Sequence, residues 1–265
     1  MMKLALGTVQ FGLNYGVSNT QGQVLPPEVG RILEYANSAG ISLLDTAQGY
    51  GDSERVLGQY DLSTFKVVTK VKGSFDLAPS LKNLHVESIY GLMLHDENEL
   101  NPDTWHWLSE CKAKGLVEKI GVSVYSPARL AQIIAEYPID LIQLPVNLLD
   151  QRFISLLPEL KARKVEIHAR SAFLQGLLLQ PPDQINPYFD PIRPVLEKIP
   201  EDRLPFALQF VHTIPEIDQV VVGVTSLLEL QQIVVALSRK TVPIEANQFI
   251  ISDDKFILPQ NWKLK

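Results

Sequence analysis

The chain has 265 residues, 46% hydrophobic and 20% charged, enough to bury a sizeable core as one large domain or two small ones. Its net charge of −6 argues against nucleic acid or an anionic membrane as the main partner. The lone cysteine, Cys111, excludes an intramolecular disulfide, no Cys/His cluster has zinc-ligand spacing, and no apolar run approaches a membrane span. The opening residues 1–7 break too early for a signal peptide, so a reducing cytoplasm is the expected location.

Along the chain, short β-type apolar runs alternate with longer helical ones. Residues 3–8 predict a strand, followed by a Gly/Asn-rich loop to Gly22. Residues 27–39 predict a helix with Ile32, Leu33, Tyr35 and Ala36 on one face and Gly40 as its stop. Residues 41–45 form the second strand, 53–59 a short helix capped by Asp52 or Ser53, and 65–71 the third strand. A helix at 77–84 and a strand at 88–94 follow, then a helix at 102–114 ending at Gly115 and a strand at 119–124. Ser126 and Pro127 have the order of an N-cap and first turn for a helix at 126–135. Strands at 140–144 and 165–169 flank a helix at 153–163. A proline-rich connection leads to a helical stretch at 205–212, the eighth strand at 219–223 and a last helix at 227–237.

Eight strand–helix units without a linker predict a single-domain (β/α)8 barrel, with 239–265 as a C-terminal tail packed on it. The competing doubly wound sheet would usually carry a Gly-x-Gly-x-x-Gly turn, which is absent.

In such a barrel the C-terminal strand ends converge on one face. Those ends present Gly7-Thr8, Asp45 with Tyr50, Lys70, His95-Asp96, Ser123, Gln143, Arg170-Ser171 and Gly223 to Ser226. A lysine inside a barrel strand is costly unless paired, and Asp45 is its natural partner. An ammonium beside Tyr50 would lower the phenol's pKa toward working pH, making it a proton donor. His95 would hydrogen-bond a carbonyl oxygen. Taken singly, His95 reads as a satisfied strand-end histidine and Lys70 as a side chain reaching out to solvent. On three consecutive strands they read together as a site, and a reduction there needs a hydride from a cofactor.

Over nearly its whole length the chain resembles the aldo/keto reductase family. Leu44-Asp45-Thr46-Ala47-Gln48-Gly49-Tyr50-Gly51-Asp52-Ser53-Glu54 is similar to the family's signature around its aspartate and tyrosine. Val68-Thr69-Lys70 and Leu92-Met93-Leu94-His95 resemble its lysine and histidine segments. Gly121-Val122-Ser123, Ile142-Gln143-Leu144-Pro145-Val146-Asn147 and the run from Ala169 to Leu178 resemble its cofactor-binding segments. The resemblance implies catalytic roles for Asp45, Tyr50, Lys70 and His95. It implies nicotinamide contacts from Ser123 and Gln143, stacking by Arg170 where many members have tyrosine, and pyrophosphate contacts from Ser171, Phe173, Leu174, Gln175 and Gly176. Gly7, Thr8, Asp45, Gly223, Thr225, Ser226, Glu229 and Gln232 complete the expected cofactor set, and no metal is expected.

Val124 stands where many members have an asparagine, and the family's N-terminal hairpin is not expected because the first strand starts almost at once. The segment from Gly223 to Gln232 lacks the usual arginine or lysine for the 2′-phosphate of NADP, although Thr225, Ser226 and the helix N-terminus offer donors. NADP(H) is the expected cofactor, with NAD(H) the alternative. Phe11, Tyr50, His95 and Asp96 are expected to contact a small, polar or sugar-like carbonyl compound, with Tyr15 as a further aromatic wall. The chain is expected to be a monomer or weak homo-oligomer. The alternative readings are an aldolase or isomerase with Lys70 as Schiff-base nucleophile, and an idle nicotinamide-binding regulatory barrel.

Overall fold

The computed structural model describes residues 3–17, 19–239 and 244–264. Within the expected tail, 240–243 and 265 therefore lie outside the described residues, as does Ser18 in the first loop.

The strands β1 (Leu4–Gly7), β2 (Leu43–Asp45), β3 (Lys66–Val71), β4 (Ile89–Leu94), β5 (Val117–Ser123), β6 (Leu141–Pro145), β7 (Glu166–Arg170) and β8 (Gln219–Gly223) close in chain order into one parallel barrel. The register sets Gly7 beside both Asp45 and Gly223, and Ser123 beside Gln143. These C-terminal residues therefore share one rim.

Helices cover the strands with their apolar faces. In α2 (Pro26–Ser38), Val29, Ile32, Leu33 and Ala36 are buried, each fully buried large side chain contributing about 1.5–3 kcal/mol. Tyr35, expected on that face, is only partly buried, a quarter-turn off the buried stripe. Helix α5 (Pro102–Ala113) starts on a capping box of Asn101 and Thr104, and α6 (Pro127–Glu136) on Ser126. Trp105 and Trp107 pack against Tyr137 and Phe75 respectively, on the body of the barrel. Helix α9 (Arg203–His212) buries Phe206, Leu208 and Phe210, and α10 (Leu227–Ser238) is capped by Ser226.

The proposed first loop opens instead with a four-residue helix, α1 (Val9–Gly12), which carries Phe11 into the core. So short a helix leaves no periodicity to read. Another five-residue helix, α3 (Ser53–Leu57), follows β2, with Asp52 at its N-cap position making no capping bond. Asp52 pairs with Arg55 instead. The tail holds short turns of helix, including Asp254–Ile257, and packs Phe249, Phe256 and Ile257 into the core.

Ala5, Leu43, Val68, Tyr90, Met93 and Leu141, all strand residues, form a second buried cluster. Glu166 accepts from the Tyr90 hydroxyl at 2.6 Å, pairs with Lys119, and lies 2.7 Å from His168 Nε2. Burial opposes ionisation of Glu166, but these partners hold its carboxyl well below the usual range. Burial and the same carboxylate push the Tyr90 phenol up to about 12. No helix among the described residues is long and apolar enough to cross a membrane.

Candidate active site

The turn after β2 carries Tyr50, and its position is fixed by backbone contact with α1. A Cβ on Gly12 would stand 1.8 Å from the Tyr50 carbonyl oxygen and 2.4 Å from the Ser53 nitrogen, so only glycine allows this approach. Ser53 Oγ, donating to the Thr8 carbonyl at 2.8 Å and lying 3.1 Å from Thr46 Oγ1, ties the same turn to β1 and β2. Thr69 donates to Glu54 at 2.6 Å, anchoring α3 to β3.

Behind Tyr50, Lys70 Nζ donates to the two Asp45 oxygens at 2.9 and 2.8 Å and to the Thr46 carbonyl at 2.9 Å. Gln143 Nε2 adds a 2.6 Å bond to Asp45. Burial pulls the Lys70 pKa down, while Asp45 works against that shift. Lys70 Nζ lies 5.1 Å from the Tyr50 ring centroid. From the sequence, this ammonium is expected to lower the phenol's pKa. In the structure the phenol is pushed well above its ordinary value by burial and by the Asp45 charge, with Arg170 opposing. The physical reason is that the Lys70 charge is already matched at close range by Asp45.

The Tyr50 and His95 rings meet edge to face, with centroids 5.6 Å apart and planes at 80°. Burial and the Lys70 charge lower the His95 pKa to about 4, so its imidazole is neutral at neutral pH.

Tyr50, His95 and Asp45 border one end of a cleft of about 680 Å3, within the range of small-molecule sites. The cleft continues past Gly7, Thr8 and Gln143, along Arg170, Ser171, Phe173, Gln175 and Gly176, to Gly223, Thr225, Glu229 and Gln232. Arg170 lies 3.9 Å over the Tyr125 ring and donates to the Val124 carbonyl at 2.9 Å, leaving its buried Nε without a partner. Ser171, Leu174 and Gln175 have φ of 62°, 47° and 54°, a left-handed run that non-glycine residues adopt at a cost. Asn147 supports this loop, donating to the Ser171 carbonyl at 3.1 Å. Tyr15 closes over it through a 2.9 Å bond from Gln175.

Some expected contacts lie elsewhere. Phe11 is a fully buried core residue and does not reach the cleft. Asp96 pairs with Lys72 at 3.0 Å and accepts from the Asn98 nitrogen, so its carboxylate serves its own turn. The Leu174 side chain is buried in the core, and Ser226 is spent capping α10. Ser123 is buried beside Gln143, behind the cleft wall.

Other lining residues escaped the sequence reading. Tyr125, two positions past Ser123, is held by its backbone nitrogen to the buried Glu97 carboxylate at 2.7 Å. Gln10, three positions past Gly7, lies so close to Gly223 that a Cβ there would come within 2.6 Å of its carboxamide, whose oxygen is buried without a partner. Pro259 and Gln260 come from the tail. Proximity to a strand end was the available signal for Gln10 and Tyr125.

This arrangement fits a nicotinamide dinucleotide. One long cleft joins a buried ion pair and phenol to a pre-shaped backbone loop and a helix start, and the unpartnered polar atoms of Gln10 and Arg170 sit along it. Among the described residues no cluster of His, Cys, Asp or Glu has the arrangement of a metal site.

The Aldo/keto reductase family model matches residues 3–251. Aldo-keto reductase str7 of Strobilurus tenacellus is 28% identical over 215 residues, 71% of this chain, which spans 63% of that relative's length. The fold is similar to that of aldo-keto reductase AKR11C1 from Bacillus halodurans in its holo form, with a TM-score of 0.74 and 20% identity over 93% of this chain and 89% of that one. It is also similar to the glycerol dehydrogenase AKR11B4 from Gluconobacter oxydans, with a TM-score of 0.68 and 21% identity over 91% and 88% of the two chains.

Proposed function

We propose that this chain, which belongs to the aldo/keto reductase family, reduces the carbonyl of a small polar aldehyde or ketone to an alcohol using a nicotinamide cofactor. The observation that carries this reading is the edge-to-face contact of Tyr50 and His95, both bordering the cleft in front of the buried Lys70–Asp45 pair.

A reduced nicotinamide held along this cleft would supply the hydride, which no side chain here can provide. Tyr50 gives its proton to the carbonyl oxygen as negative charge builds there. Its raised pKa keeps that proton in place until the oxygen becomes the stronger base. The phenolate left behind is then favoured by the Arg170 charge, while Lys70, matched by Asp45, lies 5.1 Å from its ring. His95, neutral, donates a ring N–H to the same oxygen and orients the carbonyl. Asp45 holds Lys70 charged and in place.

Among the lining residues, Tyr15, Gln175 and Gln260 favour a hydroxylated, sugar-like substrate over an apolar one. The named activity of the similar glycerol dehydrogenase is in keeping with this class. A Schiff-base role for Lys70 is disfavoured because all its donors are engaged and it does not border the cleft. A cytoplasmic location goes with this cofactor and with the free, buried Cys111.

The test is a panel of hydroxylated and simple aldehydes with the purified protein, followed in nicotinamide absorbance. Turnover with at least one member is expected. Cofactor binding with no oxidation by any carbonyl would overturn the reading in favour of a regulatory barrel. Both NADPH and NADH can serve this chemistry, since they differ only at the far end of the cleft.

A further inference from the structure

We propose that Glu229 makes the start of α10 a ribose-diol site and so selects NAD(H) over NADP(H). This rests on the reading of the cleft as a nicotinamide cofactor site.

The NADP(H) expectation needed the donors around Thr225, Ser226 and the α10 N-terminus to receive a phosphate. In the structure carboxylates have taken those of Thr225 and Leu227. The Thr225 nitrogen donates to Glu229 Oε2 at 2.6 Å, and Thr225 Oγ1 donates to Glu229 Oε1 at 2.9 Å. The Leu227 nitrogen donates to Glu28 Oε1 at 2.7 Å. Ser226 Oγ accepts from the Glu229 nitrogen and is thereby spent as the cap.

Helix capping alone does not account for Glu229. In a capping box its carboxylate would turn back to the nitrogen of the cap residue, Ser226. Here it reaches one residue further, to Thr225, and both side chains border the cleft. A 2′-phosphate, nearly dianionic at neutral pH, would have to sit against the Glu229 carboxylate. Among the described residues lining the cleft, the only guanidinium or ammonium is Arg170, which is committed to Tyr125 and Val124.

The same groups suit a ribose that keeps its hydroxyls. A carboxylate accepts from a vicinal diol, as the acidic residue of dinucleotide-binding sheets does on another fold. The Gln10 carboxamide, packed over Gly223, lines this part of the cleft without bringing a cation to it. Acceptors match hydroxyl donors and repel phosphate.

The experiment is equilibrium binding of NADH and NADPH to the full chain, read by fluorescence, for the wild type and for Glu229→Gln. NADH is expected to bind tighter by roughly 10- to 100-fold, the range set by bringing like charges together at a recognition site. Glu229→Gln keeps an acceptor oxygen for Thr225 but loses the charge, and should narrow that ratio by about tenfold, with NADPH gaining. Equal or tighter NADPH binding to the wild type overturns the proposal, and so does an unchanged ratio in the variant. The wild-type ratio is decisive on its own if the variant does not fold. Binding of neither dinucleotide would instead overturn the cofactor reading of the cleft, and this inference with it.

Discussion

Lys70 and Asp45 saturate one another: the ammonium meets both carboxylate oxygens at 2.9 and 2.8 Å, and both residues are almost completely buried. Breaking such a pair leaves a charge in the interior without its partner. Lys70→Met or Asp45→Leu alone is expected to cost about 3–5 kcal/mol, and the double variant much less than the sum. Urea denaturation of the four proteins measures this; two additive single effects would contradict it.

Tyr50 and His95 carry different loads in the proposed reaction. Tyr50→Phe removes the proton donor and leaves the ring, so carbonyl reduction should fall by about 10²–10⁴-fold. Dinucleotide binding should change by less than about twofold, because the change spares the rest of the cleft. Retained turnover in this variant would sink the assignment of the donor.

The fold and the four strand-end groups were legible because strand ends in a barrel have one destination. Asp45, Lys70 and His95 each stand where a short apolar run stops, and the register brings those stops together. Three things were not legible. Phe11 turns inward on a helix too short to show a period. The direction of the Tyr50 shift depends on how completely Asp45 answers Lys70, which is a matter of ångströms. Glu229 belongs to the expected cofactor set, but the direction of its carboxylate was hidden: it sits three residues after Ser226, the spacing of a helix cap, and only its bond to Thr225 shows where it turns.

His95 couples stability to pH. Its folded pKa is about 4 against an ordinary 6.5, so between these values the unfolded chain binds more protons than the folded one. The contribution is present above about pH 6.5 and is lost as the pH falls toward 4, on the order of 3 kcal/mol. Thermal melts across this window should show a shallower acid slope in His95→Gln than in the wild type. Identical slopes would show that the imidazole does not carry the linkage. Turnover, in contrast, should show no inflection near the ordinary histidine value.

Gly12 sets the placement of Tyr50 without touching its ring. Gly12→Ala would drive a methyl into backbone atoms of three residues, Tyr50, Asp52 and Ser53, with no side chain able to yield. The expected cost is about 1–3 kcal/mol, together with a fall in turnover as the Tyr50 turn is displaced. Thermal melts and steady-state rates measured together test this, and an alanine variant with normal rate and stability would refute the close packing.

The ion cluster opposite the cleft has a consequence for how this molecule can change. Glu166 opens β7 inside that cluster, and Arg170 closes the same strand at the cleft. Lys66 and Lys70 stand in the same relation on β3, with Lys66 4.4 Å from the Tyr90 ring and Lys70 on Asp45. Each of these strands is a rod of fixed length with a fitting at either tip. Losing or gaining one strand residue would unseat both fittings and turn every side chain between them to the opposite face. The connecting loops carry no such double obligation. Insertions and deletions should therefore accumulate between the rods and spare their lengths, so that new substrates are reached by rebuilding loops around an unchanged barrel.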